Sequence, residues 1–185
     1  MTSSRLGYAA GGRSKANPDR ASETMGGQVT LRPIVPADEP LLRAIYASTR
    51  ADEMALLPWQ DTEKEAFLAQ QFEAQHSFYQ QEFKAARFDV IERDGKAIGR
   101  LYVDRRAEEI RIIDIALLPE ARGAGIGGAI MRELLDEARD VGKAVTIHVE
   151  RNNPALGLYR RLGFTDVEDQ GVYLLMRWSA SNDAD

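Results

Sequence analysis

Cysteine is absent from the 185 residues. Disulfides, thiolate metal sites and a cysteine nucleophile are excluded together. Histidine is nearly as scarce. Only His76 and His148 could supply imidazole, one in a predicted helix and one in a predicted strand, so no metal site is expected. No apolar run approaches the ~20 residues that a membrane-spanning helix needs, which points to a cytoplasmic chain without a membrane partner. Positive charge is also in deficit. The 24 Lys and Arg face 29 Asp and Glu, a net charge of -5, and gripping nucleic-acid phosphates takes a basic surface that this total disfavours.

With 44% hydrophobic and 29% charged residues, the composition is that of a soluble globular protein, long enough for one self-sufficient core. Residues 1–27 are poor in large apolar side chains and are expected to form a disordered tail. That stretch lacks the apolar region of a secretory signal and the amphipathic stripe of a mitochondrial presequence, and Met25 stands beside Met1 as a candidate start. One domain is expected over 28–178, followed by a short C-terminal tail over 179–185.

Inside the domain the hydrophobic period switches repeatedly between two and 3.6. Gln28 to Ile34 reads as a strand. Leu41, Leu42, Ile45 and Tyr46 mark a first helix, and Leu68, Phe72, Tyr79 and Phe83 a second opening near Asp61. Phe88 to Glu92 and Ala97 to Val103 form a hairpin around Asp94-Gly95, a pair suited to the positive φ angles of a type I′ turn. Glu109 to Leu118, apolar on both faces, belongs at the centre of a sheet. A helix with Ile126, Ile130, Leu134, Ala138 and Val141 on its inner face ends at Gly142. Ala144 to Val149 is a strand, Asn153 to Leu162 a short helix, and Phe164 to Val167 with Val172 to Trp178 a closing hairpin. The fold class is therefore α/β (α+β): one mixed, mostly antiparallel sheet of about seven strands with about four flanking helices. The strand, helix and strand around Gly123 to Gly128 imply one parallel pair in it.

Two blocks carry chemistry. In the first, Leu117 and Leu118 lead through Arg122, Gly123, Ala124, Gly125, Ile126, Gly127 and Gly128 into a helix. Glycines there let backbone N–H groups crowd around one point at a positive helix end, which suits a pyrophosphate. Arg122 could bond the loop backbone or reach the phosphates. In the second block, Asn153 suits an N-cap, Pro154 a first helical residue and Gly163 a helix stop, with Ala155 and Tyr159 between them.

Arg122-x-x-Gly125-x-Gly127 resembles the pyrophosphate loop of the GNAT superfamily of N-acetyltransferases. Asn153-x-Ala155-x-x-x-Tyr159-x-x-x-Gly163-Phe164 resembles that family's second cofactor segment, and the likeness in element order runs from about Gln28 to Trp178. The resemblance implies acetyl-CoA as cosubstrate, without a metal. Leu117 and Leu118 would then offer backbone amides to the pantetheine arm, laid along the strand like an added strand. Gly123 to Gly128 would hold the pyrophosphate, Asn153 would touch the pantetheine, and Tyr159 would protonate the leaving thiolate. An amine, small or on a peptide or protein, would attack directly in a ternary complex, which suits a chain without cysteine. Its ammonium form needs a base. Asp114, an acid in an apolar strand, leads, with Glu150 and His148 behind it.

Bland readings stand beside these. Asp114 could bond a neighbouring strand, His148 could be a satisfied structural residue, Tyr159 could simply pack its ring, and Glu133, Asp136, Glu137 and Asp140 read as a solvated helix face. Met54 to Trp59 could wall an acceptor pocket or merely connect two helices. Gly123 to Gly128 also spells G-x-G-x-x-G, with Glu150 near the ~20-residue spacing of a ribose-binding acid. A dinucleotide oxidoreductase is opposed by the Pro119 to Arg122 insertion, by too little following chain, and by the unexplained second block. A cofactor-binding module without catalysis stays open, as does a homodimer.

Overall fold

In a computed structural model, which describes residues 23–24 and 27–180, the strands join one sheet. They are β1 (Glu23–Thr24), β2 (Gly27–Pro33), β3 (Arg87–Arg93), β4 (Lys96–Arg105), β5 (Glu109–Leu117), β6 (Ala144–Glu150), β7 (Thr165–Gln170) and β8 (Tyr173–Trp178). Their order across the sheet is β1-β2-β3-β4-β5-β6-β8-β7. Every neighbouring pair is antiparallel except β5 and β6. The strand beyond the expected set is the two-residue β1, which pairs Thr24 with Gly27. It falls in the stretch expected as a tail; the rest of 1–26, and 181–185, lie outside the described residues.

Among the described residues, five α-helices accompany the sheet: α1 (Glu39–Thr49), α2 (Ala51–Ala55), α3 (Asp61–Glu82), α4 (Ile126–Asp140) and α5 (Leu156–Arg161). The one not foreseen is α2, a single turn with no buried residue and hence no hydrophobic stripe. No described helix is long and apolar enough to cross a membrane.

Local chemistry explains the main joints. Asp94 and Gly95 take φ of 51° and 75°, so the β3–β4 hairpin closes as expected. Gly142, with φ 66°, stops α4, and the next amide, Lys143 N–H, turns back onto Ala138 O at 2.8 Å. Asp38 anchors the start of α1. Its carboxylate accepts from Arg32 at 2.7 and 2.8 Å and from the Val35 amide at 2.8 Å.

Burial divides between the two faces of the sheet. On one, α4 and α5 cover the larger core, where Ile110, Ile112, Met131, Val145 and Met176 are buried against one another. On the other, α1 and α3 lay Leu42, Ile45, Tyr46 and Phe72 over Ala116. Each fully buried aliphatic side chain contributes about 1.5–3 kcal/mol, so the packed halves of the sheet are firmly held. β5 lies under both cores, as its apolar faces require.

Candidate active site

The site begins where two parallel strands part. β5 and β6 pair from Glu109 with Ala144 to Ile112 with Ile147, and no further. Beyond that point β5 stays paired with β4, Asp114 to Tyr102 and Leu117 to Gly99. β6 likewise stays paired with β8 through Glu150. A register shift between Tyr102 and Val103 leaves Ile113 without a partner in β4, and a bulge of this kind turns a strand. The second half of β5 thus keeps one unpaired edge. Leu118 N–H donates to Ile98 O at 2.8 Å, so the expectation that both leucine amides are free is corrected: Leu118's is taken. Amides alternate in direction along a strand, so Leu117 and Ile115 aim theirs into the gap.

Gly99 permits this arrangement. A Cβ there would lie 2.5 Å from Ala116 O and 2.7 Å from Leu117 Cδ2, which no ordinary side chain tolerates. After β5, Pro119 to Ala121 form a 3-10 turn, and Gly123 and Gly125 adopt φ of 74° and 79°. Gly125 caps α4, whose first internal bond runs from Ala129 N–H to Gly125 O at 3.0 Å. The amides of Ile126, Gly127 and Gly128 are left without helical acceptors, at the positive end of a 15-residue helix. A Cβ at Gly123 or Gly125 would meet nothing within 4 Å, so glycine serves backbone conformation and leaves room above the amides. Arg122 donates to Leu117 O and to Ser48 Oγ, both at 2.9 Å. It ties the loop to β5 and α1.

Across the gap, the second block differs in detail from expectation. Helix α5 begins at Leu156, not Asn153. Asn153 Oδ1 instead accepts from Ala155 N–H at 2.8 Å, a side-chain turn that competes with helix at asparagine. Gly163, φ 93°, ends the helix as expected. Tyr159 is buried on α5 with its ring 5.9 Å from that of Phe164. Burial, with Asp114 second, pushes its phenol up to about 12.

These parts enclose a cavity of about 490 Å³, lined among others by Asp114, Leu117, Arg122, Gly127, Asn153, Ala155 and Tyr159. Of the remaining sequence-predicted residues, Leu118, Gly123, Ala124, Gly125, Ile126 and Gly128 are outside the lining; the last five belong to the loop and first turn of α4. The candidate bases all have partners. Asp114 Oδ2 accepts from Arg100 Nη2 at 2.5 Å. Glu150 accepts from Arg50 at 2.9 and 3.3 Å. His148 Nδ1 contacts Arg111, and burial followed by that arginine lowers its pKa.

Tyr46 and Tyr79, expected only as inner-face residues of the first two helices, are in the cavity wall, together with Arg50, Gln75 and Arg100, which the sequence does not single out. Arg100 carried a usable signal, since a charge inside an apolar strand demands a buried partner. Met54 to Trp59 takes no part in the lining; Trp59 packs edge-on against Phe67 at 5.3 Å, which makes the segment a connection. An adjoining cavity of about 380 Å³ opens between Arg50, Glu53, Glu150, Asn152 and Tyr173. The dinucleotide alternative fails on geometry: a 3-10 turn separates β5 from the first glycine, Glu150 is held by Arg50, and β7 and β8 return antiparallel.

Residues 50–164 match the model of the Acetyltransferase (GNAT) family. An N-alpha-acetyltransferase of Sulfurisphaera tokodaii is 31% identical over 104 residues, 47% of this chain and 60% of that protein. The UPF0157 protein YqkA of Bacillus subtilis is 29% identical over 82 residues, 44% of this chain. The matches span 24% and 60% of the lengths of YqkA and the Sulfurisphaera protein respectively. Among solved structures, the PaiA N-acetyltransferase of Thermoplasma acidophilum in complex with coenzyme A superposes with a TM-score of 0.62 at 17% identity, covering 82% of this chain and 99% of that one. At that identity the likeness speaks for the fold alone.

Proposed function

The chain belongs to the GNAT acetyltransferase family, and from that premise we propose that it transfers an acetyl group from acetyl-CoA to a primary amine by direct attack in a ternary complex. The observation that carries this reading is the open edge of β5 from Ile113 to Leu117, facing a cavity that is also lined by Arg122, Gly127 and Tyr159. Bound there, acetyl-CoA supplies the thioester. Leu117 N–H bonds the pantetheine arm, and the free amides from Gly123 to Gly128 hold the pyrophosphate. Asn153 lies along the arm. Ile115 N–H, aimed into the gap, stabilises the oxyanion.

Tyr159 keeps its proton across the neutral range and donates it toward the departing sulfur. Asp114 acts on the amine side: Arg100 engages Oδ2, leaving Oδ1 to receive a proton from the acceptor ammonium. Cytoplasmic residence fits the composition.

Calorimetry with acetyl-CoA, with NADH as control, followed by thiol release over an amine panel, tests the reading. Tyr159→Phe should lower kcat about 10²-fold with acetyl-CoA affinity kept. Unchanged kcat removes Tyr159 from the chemistry. Saturable acetyl-CoA binding without turnover on any amine would favour a binding module.

A further inference from the structure

The acceptor end of the cavity has a buried arginine in its wall. Arg100 sits on β4 with its side chain 3% exposed, yet lines the cavity. Its Nη2 serves Asp114 Oδ2 at 2.5 Å and Gln75 Oε1 at 3.2 Å. Its Nε is buried and has no acceptor among the described residues. Tyr102, on the same strand, is buried outside the cavity lining, and the Arg100 guanidinium lies 5.4 Å from that ring's centre. Guanidinium has five N–H donors in a planar fork shaped for a carboxylate, and Asp114 meets it through one oxygen. A buried donor without a protein acceptor is uncommon, and its partner is a water or a ligand oxygen.

The outer end has the opposite character. Asp52, Glu53 and Glu150 stand there, with Arg50 bridging Glu53 at 3.1 Å and Glu150 at 2.9 Å. That bridge spans from the α1–α2 junction to the end of β6. A cavity of about 490 Å³ that must also admit the thioester leaves room for a small molecule.

Resting on the acetyltransferase reading above, we propose that the acceptor is a small α-amino acid whose carboxylate is bound by Arg100 and whose amine faces the open edge of β5 beside Asp114. In the reaction the ammonium loses one proton to Asp114 or water. The C–N bond then forms, the C–S bond breaks, the sulfur takes a proton from Tyr159, and the second amine proton passes through solvent to restore Tyr159. The products are an N-acetyl amino acid, coenzyme A as thiol and one net proton. Arg100 is a binding residue here, and the carboxylate gives its spare donors their acceptor.

The test uses the full chain with acetyl-CoA. Thiol release is measured for the common amino acids beside their amides and their decarboxylated amines, and acetyl-CoA binding is followed by calorimetry. At least one amino acid should turn over with a KM at least about tenfold below that of its amide, because a site built to bond a group rejects analogues without it. Arg100→Lys keeps the charge beside Asp114 and loses the fork. It should raise that KM about tenfold and leave the KM for acetyl-CoA unchanged. Should that variant fail to fold, the amino acid and amide comparison on the unaltered chain decides alone. Amides, decarboxylated amines or short peptides used as well as the amino acids overturn the amino-acid proposal while the acetyltransferase reading stands. Absence of acetyl-CoA binding overturns both.

Discussion

The two halves of β5 are built from similar residues and serve different ends. From Glu109 to Ile112 the strand is paired on both edges, to β4 and to β6. From Asp114 to Leu117 it is paired on one. The closed half buries Ile110 and Ile112 at 1% and 0% exposure and has no backbone groups to spare. The open half leaves amides facing a cavity. Unpaired strand edges invite added strands, and this one shares its cavity with Leu158 and Tyr159 of α5 and Gly127 of α4. Stability therefore concentrates in the first half and binding capacity in the second.

Substitutions should separate them. The largest effect is expected at Ile112→Ala, which deletes a fully buried side chain from the main core and should cost about 2–5 kcal/mol in urea unfolding. Acetyl-CoA affinity of the folded molecules should stay as it was; a large loss of affinity would mean that the halves are not independent. Gly99→Ala strikes the open half through its remaining partner. The new Cβ must push Ala116 O and Leu117 away from their 2.5 and 2.7 Å approaches. A cost of about 1–3 kcal/mol should come with weaker acetyl-CoA binding, and unimpaired binding would show that the open edge tolerates displacement.

Leu117→Pro is subtler. Leu117 N–H points away from β4, so proline there spares the ladder's hydrogen bonds, removes the donor proposed for the pantetheine and fixes the local φ. With Leu117→Ala as control for the lost side chain, acetyl-CoA binding should weaken by about 0.5–1.5 kcal/mol, the net worth of one hydrogen bond. Equal affinities in the proline and alanine variants would remove this amide from the cofactor site.

The sequence exposes the open half better than the closed one exposes its partners. Gly123, Gly125 and Gly163 are legible because positive φ singles out glycine locally, and the strand and helix order follows from hydrophobic period. Tertiary pairings were less accessible. Asp114 was conspicuous in an apolar strand, but its partner Arg100 lies 14 residues away across a strand pair with a register shift. Arg50 and Glu150 are 100 residues apart, and nothing local announces them. The start of α5 departs from expectation for a short-range reason: Asn153 uses its side chain on Ala155 N–H, forming a turn before the helix.

On one face of the closed half, Arg111 of β5 meets His148 of β6, which also lines the cavity. Burial and Arg111 lower the histidine's pKa; Glu168 and Glu109 pull the other way and are outweighed, as is the Gln170 hydrogen bond. A depressed histidine pKa means that the unfolded chain binds this proton more readily than the folded one. The contribution is complete above the ordinary histidine value near 6.5 and is lost as pH falls from there toward the folded value. Urea midpoints measured from pH 7.5 down to pH 5 should therefore decline, and the decline should be shallower in His148→Gln, which cannot titrate. The effect is the smallest of the four, since one partly exposed group is involved. Identical slopes in the two proteins would mean that the acid sensitivity comes from elsewhere, and that this face of the closed half carries no strain from the Arg111 contact.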